Sequence, residues 1–231
     1  MTYRLHFAPD NASLCIRLAL EELRLPYQTA LVDRDINAQR SPAYLALNPN
    51  GLIPVLETPA GVLFETGAIL LWLADTHAGL LPAVGDPGRG AALKWLFWLS
   101  NTLHATMRGL FYPAEHAGPD LAAQAQFLIQ TQARLRDQFS ILAQARDVDW
   151  LDSDTPSALA CYLAPLLRWP VLYSDNSGWF TLSDWPRLLD FATQFEQRPA
   201  VVAAALAETL GPTPFSAPQT LNPLGIGPTD A

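Results

Sequence analysis

The pattern of apolar residues changes character across residues 79–90, and this change does most to restrict what the chain can fold into. Upstream, short stretches that alternate polar and apolar side chains are interleaved with helical ones; downstream, no strand pattern remains. Alternation places one face of a strand against a core, whereas apolar residues three and four apart mark a helix. Residues 3–7 read as a strand, 14–24 as a helix closed by Pro26, and 27–32 as a second strand. Leucines at 14, 18, 20, 23 and 25 surround most of the first helix, so burial on more than one side is expected. A short helix over 42–47, the turn Asn48-Pro49-Asn50-Gly51 and a strand over 52–58 follow. Pro59-Ala60-Gly61 turns the chain into a strand over 62–64, and an apolar helix spans 68–77.

The segment 79–90, rich in Gly, Pro and Asp, reads as a linker. Helices are expected over 91–111, 121–146, 156–169, 186–197 and 199–210. From Gly211 the chain holds five prolines and no periodicity, so 211–231 is expected to be irregular. The division is an α/β domain over 1–78, a linker, an all-helical domain over 91–210 and a tail.

Composition narrows the function. Half of the 231 residues are hydrophobic, enough for a sizeable core. The formal charge is −8 and Lys94 is the single lysine, a balance that repels a phosphate backbone and argues against nucleic acid. No basic stretch followed by a long apolar run opens the sequence, and the apolar run 68–74 falls far short of the ~20 residues of a bilayer span. Cys15 and Cys161 form no C-x-x-C pair, which suits a reducing compartment. A cytoplasmic chain without membrane contact is expected. His6, His77 and His116 have no metal-ligand spacing, and no metal is expected.

Two local patterns carry chemistry. A cis Ile53-Pro54 bond would turn the Ile53 carbonyl and amide outward, free to pair antiparallel with a bound peptide; the plainer alternative is that Pro54 only ends an edge strand. Glu65-Thr66 stands at a helix start, where free N–H groups and the dipole favour an anion; the alternative is an ordinary helix start.

Three stretches together resemble the glutathione transferase superfamily: residues 48–56, residues 64–75 (Phe64-Glu65-Thr66-Gly67 onward), and residues 157–169 with Gln197-Arg198-Pro199. The resemblance covers most of the chain. It implies a thioredoxin-like N-terminal domain followed by an all-α domain, and glutathione as co-substrate. Ile53 and Pro54 would dock the cysteinyl backbone, Thr66 would hold the γ-glutamyl carboxylate and Glu65 its ammonium. A homodimer is also implied.

The catalytic loop is less regular. Residues 9–14 resemble the bacterial beta class, but Ala12 stands where that class has its cysteine, which excludes a mixed disulfide there. Ser13 and Asn11 are the candidates for donating to the thiolate, with helix capping as the alternative for both. Asp10 conflicts with this role unless its carboxylate points away, because a nearby negative charge raises a thiol pKa. Cys15 is expected to be a buried thiol. Ile36 and Asn50 replace lysines and Leu52 a glutamine of the beta class, with Arg34, Arg40 or Arg108 as possible substitutes. His104, Arg108 and Tyr112 are candidates for the acceptor site, while most of Trp95, Phe97, Trp98 and Phe111 read as core. Ser157, without an acidic partner at Ala160, reads as a simple helix cap.

The activity implied is attack of the glutathione thiolate on a small electrophile. The bacterial nu class, which Phe7-Ala8-Pro9 and residues 64–71 resemble, reduces disulfides instead and implies a disulfide substrate. A third alternative is a binding or regulatory protein that has lost turnover.

Overall fold

A computed structural model describes residues 2–173 and 178–220. Strand β1 (Tyr3–Phe7) leads into helix α1 (Ser13–Glu22) and strand β2 (Tyr27–Leu31). A single 3-10 turn (Ala38–Arg40) and a short helix α2 (Pro42–Leu45) precede strands β3 (Val55–Thr58) and β4 (Gly61–Phe64) and helix α3 (Thr66–His77). The sheet order is β2-β1-β3-β4, with β1 parallel to β2 and antiparallel to β3, and β3 antiparallel to β4. This is the thioredoxin-like arrangement. β3 begins at Val55 rather than at residue 52 because the cis Ile53–Pro54 peptide keeps the preceding residues out of the ladder.

Helix α1 is buried over every residue from Ser13 to Leu20. It lies between the sheet, α3 and two helices of the second domain, α8 (Ala158–Leu172) and α10 (Pro199–Glu208). The leucines around its circumference therefore serve two interfaces at once. Arg17, in the middle of this apolar helix, is held by Glu208 at 2.7 Å and lies over the Phe7 ring at 4.7 Å.

The second part is helical throughout its described residues. α4 (Arg89–Trp98) passes through a π-helical segment (Leu99–His104) into α5 (Ala105–Phe111), so the single helix expected over 91–111 carries an inserted widening. A short α6 (Pro113–Ala117) follows, with proline at its first position. The long α7 (Leu121–Gln144) is capped by Asp120, and α8 by Ser157, whose Oγ accepts the Leu159 N–H at 3.1 Å. α8 continues three residues past the expected end at Trp169, through Pro170. α9 (Pro186–Phe195) and α10 complete the set.

The described tail, through residue 220, forms no helix or strand, yet it is packed. Phe215 is fully buried, and Glu196 receives the N–H groups of Phe215 and Ser216 and the Ser216 hydroxyl. The part of the expected tail beyond residue 220 lies outside the described residues. No helix among the described residues is long and apolar enough to cross a membrane.

Candidate active site

A cleft of about 620 Å³ separates the loops of the sheet domain from α5 and α8. It falls within the usual size range for small-molecule sites. Three loops of the first domain form its floor.

The first loop joins β1 to α1. The Asn11 carbonyl accepts the Leu14 N–H at 2.8 Å, while its side-chain Oδ1 accepts the Ala12 N–H at 2.8 Å. Among the described residues the amide Nδ2 has no hydrogen-bond partner, and Asn11 and Ala12 both line the cleft. Ser13 behaves differently from expectation. It is fully buried, does not line the cleft, and donates its hydroxyl to the Ala8 carbonyl at 3.1 Å. Ser13, the first residue of α1, turns into the domain, so the hydroxyl holds the loop together instead of facing a ligand.

Asp10 precedes Asn11 with a φ of 51°. Its carboxylate, 1 % exposed, takes Arg168 in a two-pronged pair, from Nε at 2.8 Å and Nη2 at 3.0 Å. Trp169 Nε1 and the Tyr173 hydroxyl donate to the same carboxylate. The conflict anticipated between Asp10 and a thiolate is thus met by an opposite charge in direct contact.

The second loop ends at the cis peptide. Tyr44 OH and Asn48 Nδ2 both donate to the Leu52 carbonyl, at 2.9 and 2.7 Å, and fix the turn. Among the described residues, no hydrogen bond uses the Ile53 N–H or carbonyl. Gly51, at a φ of 63°, lies under Arg40; an added Cβ would come within 2.9 Å of Arg40 Nη1 and 3.0 Å of the Gln39 carbonyl. The third loop ends at Glu65, whose φ of 71° aims the chain into α3. Thr66 is buried at the start of this helix, and neither its N–H nor that of Gly67 has a partner among the described residues.

The opposite wall comes from the helical domain. The π-helical segment and α5 bring Ser100, His104 and Arg108 to the cleft, and α8 with its C-cap residue contributes Tyr162, Trp169 and Tyr173. The latter three, seven and four residues apart, share one helix face. His104 Nδ1 lies 3.0 Å from the Tyr162 hydroxyl, with the ring against Trp169. Burial, aided by the Arg108 charge, lowers the His104 pKa from its ordinary value to about 4. The imidazole is therefore neutral near pH 7. Burial first, and then Asp10, raises the Tyr173 pKa and keeps it a phenol. Tyr112 caps the cleft, accepting from Arg34 Nη2 at 3.2 Å and lying 5.1 Å beneath the Arg108 guanidinium. Arg108 also pairs with Glu115 at 3.3 Å.

The family model for the glutathione S-transferase N-terminal domain matches residues 12–76. The disulfide-bond oxidoreductase YfcG of Escherichia coli is 31% identical over 216 residues, spanning 90% of this chain and 96% of that protein. The chain belongs to the glutathione transferase superfamily. Glutathione S-transferase GstB of the same organism is 30% identical over 80% of this chain and 88% of its own length. Among solved structures, a glutathione transferase homologue from Sulfitobacter with bound glutathione superposes with a TM-score of 0.77, at 25% identity, over 89% of this chain and 98% of that one. A glutathione transferase from Burkholderia graminis, with two glutathione molecules bound per subunit, gives 0.74 at 26% identity over 88% and 87%.

Set in this transferase fold, the structure gathers Asn11, Ile53, Pro54, Glu65, Thr66, His104, Arg108 and Tyr112 around one cleft and leaves Ser13 outside it. Arg34 and Arg40, named only as substitutes for absent lysines, also line it. The sequence reading missed the partners of Asp10. Their signal was present in Arg168, Trp169 and Tyr173, polar or aromatic residues clustered at the end of a largely aliphatic helix. Both cysteines are fully buried, and burial raises the pKa of each, so neither offers a thiolate to the cleft. Among the described residues, no three His, Cys, Asp or Glu side chains converge as a metal site would require.

Proposed function

We propose that this glutathione transferase binds glutathione along the floor of the cleft and holds its thiol as a thiolate beside the Asn11 side-chain amide. The observation that carries the reading is the convergence of uncommitted hydrogen-bonding groups. Ile53 offers one N–H and one carbonyl at the spacing of an added strand, suited to a cysteinyl backbone. The N–H groups of Thr66 and Gly67, without a partner among the described residues, open a twelve-residue helix and suit a carboxylate, and Glu65 suits the adjacent ammonium. Arg40, beside Gly51 and the Asn50 carbonyl, suits the glycyl carboxylate. Asn11 Nδ2 then donates to the sulfur. The thiolate forms a C–S bond with the electrophilic carbon of the acceptor, and the leaving group departs with its electron pair.

His104, Tyr112, Phe111 and Trp169 supply an apolar, largely aromatic wall for a small hydrophobic acceptor, and Arg108 and Arg34 sit at its rim. Neutral His104 can donate or accept a hydrogen bond there without adding charge. Titration calorimetry with glutathione, followed by turnover of an aryl chloride, tests the reading. Failure of glutathione to bind at millimolar concentration would reject it and leave a transferase fold without the cognate chemistry.

The similarity to YfcG favours a second reading, reduction of a small disulfide by two glutathiones without a protein cysteine. In that reaction one thiolate attacks a sulfur of the substrate, releasing a thiolate, and the second glutathione resolves the mixed disulfide. Comparing turnover of a small disulfide with that of an aryl chloride separates the two. Family membership supports a homodimer, and the exposed apolar side chains Val62 and Phe97 give it surface to use. A sedimentation experiment that finds only monomer would contradict the dimer. The free, buried cysteines suit the reducing cytoplasm, which cell fractionation would test.

A further inference from the structure

We propose that Asp10 and Arg168 form a charge-compensated latch that positions Asn11 and sets the acidity of the thiol held beside it. The proposal rests on the thiolate-stabilising reading above. Both are positioning residues; they act through Asn11 and through the field behind it.

The commitment of the guanidinium is the first observation. Arg168 is fully buried, gives two donors to Asp10, one to the Pro214 carbonyl at 2.9 Å and one to the Gln219 carbonyl at 3.3 Å. Its plane is thereby fixed from two sides, by the catalytic loop and by the C-terminal segment. The second observation is backbone anchoring. The Asp10 N–H donates to Glu208 Oε2 at 2.9 Å, and the other oxygen of Glu208 takes Arg17 at 2.7 Å. Asp10 is thus held by main chain and side chain together, at a left-handed φ that disfavours a residue with a Cβ. Asn11 follows directly and inherits that direction.

The third observation is energetic. Burying an ion pair costs desolvation that apolar packing of the same volume avoids, so stability alone does not account for a bidentate pair at this position. Its location does. A carboxylate immediately behind the thiol site disfavours a second negative charge, and a guanidinium in contact with it cancels that effect. The other groups facing the pair are Tyr173 from α8, the closed Glu208–Arg17 pair from α10 and α1, and Arg34 near Tyr173. The cleft is also lined by Glu65, Arg40, neutral His104 and the Arg108–Glu115 pair.

The two members of the latch therefore affect the thiol with opposite signs. Asp10→Asn keeps the shape and an acceptor oxygen but removes the negative charge, so the unpaired guanidinium lowers the pKa of the bound thiol. Arg168→Gln leaves the carboxylate uncompensated and raises it. Each shift is on the order of one pH unit. The double variant Asp10→Asn/Arg168→Gln returns near the wild-type value, and Arg168→Lys, which keeps the charge but not the two-pronged geometry, changes the pKa little while lowering kcat.

The measurement is a pH titration of thiolate ultraviolet absorbance in the glutathione complex, with calorimetric binding of glutathione and circular dichroism for each variant. Opposite shifts that cancel in the double variant support the latch. Shifts of the same sign, or no shift in variants that still bind glutathione, overturn it and leave a purely structural pair. If Arg168→Gln does not fold, Asp10→Asn decides alone, by a downward shift for the latch and an upward or absent one against it. A wild-type chain that does not bind glutathione defeats the functional reading itself, an outcome separate from wrongly signed shifts in chains that do bind.

Discussion

Asn11 lies in the loop before α1 and lines the cleft, Ser13 opens the helix and is buried, and their substitutions separate accordingly. On the proposed function, Asn11→Ala removes a donor to a charged sulfur, an interaction worth about 1.5–3 kcal/mol, so the bound thiol becomes less acidic and kcat/KM falls about 10–100-fold. Ser13→Ala breaks only the bond to the Ala8 carbonyl. It costs about 1 kcal/mol of stability and leaves the thiol pKa unchanged; steady-state kinetics and thermal melts on the two variants check both. His104 gives a third prediction. Its pKa is near 4 in the folded chain and about 6.5 in an unfolded one, so between those values the unfolded state binds the extra proton. Stability from this group is full above pH 6.5, falls as the pH drops through that window, and is lost below pH 4. Melting His104→Gln alongside wild type from pH 7 to pH 4 should show a shallower loss for the variant. The acid limb of activity above pH 5 then belongs to another group, since His104 does not titrate there.

At the scale of elements, the π-helical segment is the feature with most consequence for the cleft. It adds backbone between Trp98 and Ala105 and so turns Ser100 and His104 toward Tyr162 within one continuous rod. Deleting exposed Asn101 should let the segment wind as a regular α-helix and rotate His104 off Tyr162. Retained helicity and glutathione affinity with loss of turnover is the expected result, read by circular dichroism, calorimetry and kinetics. Gly51→Ala acts on the other wall. The left-handed φ costs roughly 1–2 kcal/mol for an L-residue, and the new methyl displaces Arg40. A weaker affinity for glutathione, with little change in kcat, is expected from a titration.

Over the whole molecule, the fold was legible in the sequence because its signals are local and periodic: alternation through Phe64, helical spacing beyond, and prolines at the boundaries. The Ile53-Pro54 corner and the helix start at Glu65-Thr66 were legible for the same reason, since both are short motifs whose geometry follows from neighbours. What could not be read depends on contacts across long separations. Asp10 meets Arg168 and Tyr173 from more than 150 residues away, and nothing near Pro9 announces a guanidinium. The π-helical segment was equally hidden, because one inserted residue hardly disturbs an apolar pattern read over a long window. The direction of Ser13 was misread on the strength of its place in a motif. The polar group that faces outward from such a loop depends on how the previous residue is turned, and Asp10 is turned by the distant pair.

The C-terminal segment gives this long-range dependence a temporal side. Carbonyls at Pro214 and Gln219 hold the guanidinium that holds Asp10, so the loop bearing Asn11 acquires its last restraints from almost the far end of the described chain. During synthesis the sheet domain emerges first, with its strands, hairpin and cis-proline turn already in reach of one another. The loop bearing Asn11 lacks these restraints until residues near 219 have cleared the ribosome and come to rest on α8. A nascent chain therefore passes through a stage at which the sheet is complete while the direction of Asn11 is still unset.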